Sequence, residues 1–429
     1  MGCYEWSPRP GTVIFVRQLS FPSASVQREK HLHAVFIYIR GKARCAKVCV
    51  KMTKRERYLQ ALRNRPVDEL VWAPNFDYWL YVNSAEGTLP EKYRGMSRND
   101  IVRTIGGYIW NRAGGIRILR DPSITERWET VGDQSFHTIT TPVGQVREIY
   151  TSTKSEGSNR APSHTEHFIK NREDLRIMTY IVEGSHCEFD PAPTAKALAE
   201  TGNDGVVLNS FFCVPFIQFA KTDAGYVTGF YLWADHKEDV DRLITAYARL
   251  FLEGYSLIAS GPADIIATGD NMDGVMISPP IFEEYAIPFY QQAKEIASRH
   301  GKILEGHWCG RTQSLLHLVP GCGLDVVEAI VTKPMADISL AEALDRLGGK
   351  VVLQGGIPSV PVCEQGGTRE DFERYIEEAI LPIRGRKGFI LGMSDNVPPN
   401  ADFWRVERVA QLLGEKRNNG REHIAKEEM

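Results

Sequence analysis

The chain has 429 residues, with 43% apolar and 24% charged side chains and a formal net charge of −3. That balance is ordinary for a soluble globular enzyme and lacks the basic excess of a nucleic-acid binder. No run of about 18 uncharged apolar residues predicts a membrane span, and eight scattered cysteines form no compact disulfide framework, so a reducing cytoplasm is the expected location.

The first 51 residues differ from the rest. They hold Cys3, Cys45 and Cys49, many basic side chains, and only Glu5 and Glu29 as acids. No sustained period runs through them, although Ala34–Ile39 reads as a strand of its own. The text changes at Met52, where MTKRERYLQALRNRPVD places Leu59 and Leu62 on one helical face behind Thr53 as an N-cap. Residues 1–51 are expected to be an extension outside the core fold, translated from upstream of the natural start. Residues 416–429 are expected to be a charged tail.

Leu70-Val-Trp-Ala-Pro then predicts a short buried strand, and residues 76–135 read as aromatic loops with a helix near Asn99–Ile105. Phe136–Tyr150 alternates around a Pro-Val-Gly turn and predicts a β-hairpin, with Thr165–Ile169 continuing its sheet. Arg172–Glu183 predicts a helix. From about residue 190 a regular order sets in. Strands are predicted at Gly205–Asn209, Asp264–Ala267, Lys302–Gly306, Leu324–Glu328, Lys350–Gln354 and Phe389–Gly392. Helices are predicted between and around them at Pro193–Glu200, His236–Ala259, Pro279–His300, Arg311–Leu318, Leu340–Leu347, Arg369–Ile380 and Asp402–Leu413. Short apolar strands alternating with helices imply a parallel sheet, and this many units favours an α/β fold of the (β/α)8 barrel type over an open sheet. The N-terminal β-hairpin is then an insertion.

In such a barrel, chemistry belongs at the C-terminal ends of the strands. Those ends carry Asp270-Asn271-Met-Asp273, His307-Trp-Cys309, Glu328, Gln354-Gly-Gly, and Asp395-Asn396. His307 and Cys309, at i and i+2, fall on one side of an extended strand end, and imidazole nitrogen with thiolate sulfur suits Zn²⁺. Phe76, Tyr78, Trp79 and Tyr81 after the first strand, and Phe211 and Phe212 after another, are expected either to wall a planar apolar substrate or to pack in the core. Asp270 is a candidate catalytic residue. Asn271 and Asn396 are candidate substrate contacts.

The stretches GDNMDGVMISPPIFEEYAIPFYQQAKEI, EGHWCGRTQSLL, GLDVVEAI, LGGKVVLQGGIPS and GFILGMSDNVPPNADFWRV resemble the uroporphyrinogen decarboxylase superfamily. They resemble most closely its corrinoid-dependent methyltransferase branch, over roughly residues 52–415. That branch implies a zinc ion held by His-X-Cys plus a late cysteine, so His307 and Cys309 take the first two positions. The late position here is Asp395, also an acceptable zinc ligand. Glu328 is the next candidate, or else it orients His307. The Arg-rich segment that holds tetrapyrrole carboxylates in the decarboxylases is replaced here by VWAPNFDYWLYVNS, which argues against uroporphyrinogen as substrate.

The resemblance implies methyl transfer between a small molecule and the cobalt of a corrinoid (cobalamin). With no Asp-X-His-X-X-Gly signature in the chain, the corrinoid is expected on a separate partner protein. Replacing a thiolate with Asp395 strengthens the metal as a Lewis acid, which favours O-demethylation of a methoxylated aromatic within one-carbon metabolism. The alternatives are a thiol-methylating methylcobamide methyltransferase, a lyase acting on a smaller carboxylic acid with Arg311 as its cation, and a metal-free corrinoid-protein chaperone. No nucleic-acid or membrane partner is expected.

Overall fold

The computed structural model describes residues 34–39, 42–47, 52–152 and 162–414. The chain divides into two units, Met1–Thr53 and Lys54–Met429. In the first, Ala34–Ile39 and Lys42–Lys47 pair as an antiparallel hairpin. In the second, eight strands form one all-parallel sheet: β1 (Trp72–Ala73), β2 (Ile109–Ala113), β3 (Gly205–Phe211), β4 (Ile265–Thr268), β5 (Ile303–His307), β6 (Val326–Ile330), β7 (Val352–Ile357) and β8 (Phe389–Met393). The order is β1-β8-β7-β6-β5-β4-β3-β2. Among the described residues, one backbone bond, from Tyr108 N–H to Trp72 O at 2.7 Å, spans the remaining seam between β1 and β2. The fold is the expected (β/α)8 barrel.

Alternation along each strand sorts the side chains into two layers. Val71, Ala73, Tyr108, Trp110, Val206, Leu208, Ile265, Ala267, Ile303, Val326, Val352 and Ile390 form the apolar filling of the barrel. The helix Lys54–Leu62 adds Tyr58, Ala61 and Leu62 to that filling. The residues between them, such as Trp72, Ile266, Leu304, Val327, Leu353 and Leu391, face the surrounding helices and join the larger outer core. Gly205 lies where two strands press together: a Cβ there would fall 1.8 Å from the Ile109 carbonyl oxygen.

The helices Arg172–Glu183 and Leu340–Leu347 occur at the predicted bounds, the first capped by Asn171 and the second by a Ser339/Glu342 capping box. Pro279–Arg299 is helical with a wider turn at Phe282–Ala286. Arg311–Leu318 is not a helix; turns fill it, and only Val319–Cys322 is helical. The hairpin is real and larger than expected: Thr125–Val131, Gln134–Thr141, Gly144–Thr151 and Ser163–Glu166 make a four-stranded antiparallel sheet. Among the described residues no helix is long and apolar enough to cross a membrane.

Candidate active site

β5 is the centre of the site. Ile303, Glu305 and His307 alternate inward, so His307 reaches the mouth with Glu305 one layer below it. β6 pairs with β5 so that Glu328 stands opposite His307. The Glu328 carboxylate, 3% exposed, meets His307 Nδ1 at 2.5 Å. That contact fixes the ring and leaves Nε2 directed away from Glu328, where Asp395 Oδ1 lies 3.8 Å off. The Cys309 sulfur interacts with the same imidazole. Glu328 therefore orients His307 and has the position of a supporting carboxylate rather than of a ligand.

Asp395 reaches the mouth by leaving the alternation of β8. Its φ of 143° lies in a region uncommon for a side-chain-bearing residue. Asn75 Nδ2 donates to the Asp395 carbonyl at 2.8 Å, and Val397 N–H donates to the Asn75 carbonyl at 2.9 Å, tying this turn to the end of β1. Backbone strain held by surrounding bonds is a recurrent property of functional loops.

The electrostatics are those of a crowded acidic pocket. Burial lowers the basicity of His307, but the Glu328 carboxylate and the Cys309 sulfur more than offset it, holding the imidazole well above its ordinary pKa. Burial beside Glu328 raises the Glu305 carboxyl, with Arg112 and His307 opposing. Burial also raises Asp395, again opposed by His307 and Arg112. Tyr226, on the helix Tyr226–Asp235 after β3, has its phenol pushed up to about 12 by burial and then by Asp273, Cys213 and Cys309.

The donor chemistry fits a zinc ion. Nitrogen, sulfur and carboxylate oxygen are all zinc ligands, and a carboxylate on the far nitrogen of the histidine is the usual support. Two ligand atoms about 2.0 Å from a tetrahedral zinc lie roughly 3.3 Å apart, close to the His307–Asp395 separation. Among the described residues no three His, Cys, Asp or Glu side chains form a compact metal cluster. His307–Cys309 and His307–Asp395 meet as pairs.

Several expected site residues lie elsewhere. Asp270 is fully buried on the helix-facing side, where it accepts bonds from Val214 N–H at 2.8 Å, Tyr290 O–H at 2.7 Å and the Thr268 hydroxyl. It anchors strand to helix and does not line the mouth. Phe76 and Trp79 are core residues, each edge-on or stacked against Phe403, with Trp79 and Phe403 3.8 Å apart at their centroids. Phe211 packs edge-on against Phe251 and Tyr255, and Phe212 stacks on Phe251. The aromatic wall is thus largely core.

Tyr78 stays half-buried at the rim, and its backbone N–H donates to Asn396 Oδ1 at 3.3 Å. Asn271 is exposed at the rim in a left-handed conformation, and Arg311 is exposed there. A cavity of about 550 Å³ lies at the opposite end of the barrel, among Arg65, Leu70, Arg384 and Phe389, remote from His307; in barrels of this type that face serves stability. Arg112, at the mouth end of β2, was not among the expected residues.

An α/β barrel with a histidine, a thiol and carboxylates gathered at the C-terminal ends of its strands has the site architecture of a barrel enzyme. The uroporphyrinogen decarboxylase (URO-D) family model matches residues 192–415, and the chain belongs to that family. Among solved structures, a methyltransferase from Methanosarcina mazei is similar at 14% identity, over 85% of this chain and 99% of that one, with a TM-score of 0.52. D-psicose 3-epimerase from Clostridium cellulolyticum H10, solved with D-tagatose, is similar at 15% identity over 54% of this chain and 84% of that one, with a TM-score of 0.32. No curated protein matches.

Proposed function

We propose that this protein is a zinc-dependent methyltransferase that moves a methyl group between a small methylated substrate and the cobalt of a corrinoid carried by a separate protein. The observation that carries the reading is His307, anchored through Nδ1 by Glu328 with Nε2 turned towards Asp395. Family membership and the fold shared with a methyltransferase support it. His307, Cys309 and Asp395 would hold the ion. Zinc in that place supplies Lewis acidity to a bound heteroatom.

The residues of the chain set up that chemistry. Glu328 locks the imidazole orientation and raises its basicity as a ligand. Cys309 follows His307 by two residues just past the end of β5, so both approach the mouth from one strand end. Asp395 offers a harder oxygen where a thiolate would donate more charge, which favours attack on a methyl ether and release of its oxygen. The favoured substrate class is a methoxylated aromatic in the demethylating half-reaction. Asp395 and Arg112 are accessible to solvent at the mouth, on the side from which a carrier-bound corrinoid would approach.

The test combines metal content with methyl transfer. Purified protein should hold one zinc, lost in His307→Ala, and should methylate a cobalt(I) corrinoid carrier from a methoxylated aromatic, followed by absorbance. A well-folded protein without stoichiometric metal and without turnover would overturn the reading. Release of CO₂ from a small acid, with no methylated corrinoid, would instead favour a lyase.

A further inference from the structure

We propose that Arg112 binds the carboxylate of an anionic substrate, so that the methylated small molecule entering this mouth carries a negative charge. The inference rests on the mouth being the substrate site, as proposed above, and specifies what that site selects. Arg112 pairs across the sheet with Leu208, and Trp110 pairs with Val206. Trp110, Val206 and Leu208 all belong to the barrel filling. Arg112 is therefore the next inward position along β2, one step nearer the mouth, and it is exposed there.

Its guanidinium lies over the Trp110 ring, 4.5 Å from the centroid. That contact tethers the group beside the ring, and a guanidinium held over an aromatic face can still present an N–H edge to a bidentate carboxylate. Its inward position near the C-terminal end of β2 sets it on the same rim of the barrel as His307, and its charge opposes the raised pKa of Glu305. Yet among the described residues no carboxylate lies within 4.0 Å of it, whereas Arg55, Arg57, Arg98, Arg103 and Arg405 each have an acidic partner. The site thus presents a restrained cation at one side of the mouth and the His307–Asp395 pair on strands elsewhere around the ring. A substrate with a carboxylate at one end and a methylated heteroatom at the other would engage both.

The experiment measures binding by calorimetry with 4-methoxybenzoate and its neutral isostere 4-methoxybenzamide, using the full chain without corrinoid carrier. The wild type should bind the acid in preference to the amide. Arg112→Gln should weaken the acid about 10- to 100-fold, the span of a lost charge-assisted bond, and leave the amide unchanged. Arg112→Lys should fall between, because it keeps the charge and loses the planar fork. Thermal unfolding of both variants should match the wild type, since the side chain is exposed.

Equal affinity of the wild type for acid and amide, no measurable binding of the acid, or an unchanged affinity for the acid in Arg112→Gln would each overturn the proposal. In that last case Arg112 only balances Glu305 and Asp395. Because the readout needs neither turnover nor corrinoid, charge selectivity and methyl transfer can fail independently.

Discussion

His307 Nδ1 and Glu328 Oε2 lie 2.5 Å apart, on neighbouring strands whose register sets the two residues side by side. The contact determines which nitrogen of His307 is available to the mouth. Glu328→Gln keeps an acceptor of the same shape and removes the charge. It should lower zinc affinity by about 10- to 100-fold, measured by competition with a chelator, while leaving the fold intact. An unchanged affinity would remove Glu328 from the support of the site.

Asp270 satisfies a backbone N–H and two hydroxyls from a fully buried position. Asp270→Ala leaves the Val214 N–H and the Tyr290 hydroxyl without their acceptor, while the Thr268 hydroxyl keeps a long bond of 3.4 Å to the Glu305 carbonyl, and each buried orphan costs about 1–3 kcal/mol. The variant should lose at least about 2 kcal/mol in urea unfolding. Wild-type stability combined with abolished turnover would return Asp270 to the chemistry.

Asp223 gives a pH signature away from the mouth. It is fully buried, bonded to Gln218 Nε2 at 2.8 Å and Tyr247 O–H at 2.7 Å, and burial raises its pKa from the ordinary 3.8 to about 7. The folded state therefore holds a proton that the unfolded chain has released between those values. This group favours folding fully below about pH 4, and its contribution is lost as pH rises through about 7. Asp223→Asn cannot ionise. Its stability relative to the wild type should rise by a few kcal/mol between pH 4 and pH 8, read from urea midpoints; a difference that stays flat with pH would refute the assignment.

Gly205 has no room for a methyl group against the Ile109 carbonyl. Gly205→Ala should force β2 and β3 apart and cost about 3 kcal/mol or more, beyond what overpacking usually imposes. A thermal midpoint within a degree of the wild type would show that the two strands can part freely.

The sequence disclosed the barrel from β3 onward because each of those strands is a short apolar run between helical segments. Three of the misplaced residues share one cause, which is parity. Phe76 is in phase with Trp72, Phe211 with Val207, and Asp270 with Thr268, all on the helix-facing side. Counting in twos past the strand end would have turned them outward. The same count puts Cys309 in phase with His307.

Asp395 is the exception, because its positive φ breaks the count, and only the resemblance located it. Arg112 was missed for a different reason. Ile-Trp-Asn-Arg-Ala does not read as a buried strand, since its inward face changes from apolar filling to mouth within two residues. Tyr226 was missed because nothing in its local pattern links a helix after β3 to a thiol after β5.

The seam between β1 and β2 bears on how the mouth can change width. From β2 through β3 to β8 and β1, neighbouring strands are laced by ladders; across the seam, among the described residues, one amide carries the join. Arg112 stands on one bank, and Asp395, tied to β1 through Asn75, on the other. A slight parting of the wall there would carry the guanidinium and the carboxylate away from each other without unzipping any strand pair, letting the enclosure stretch to the length of its guest.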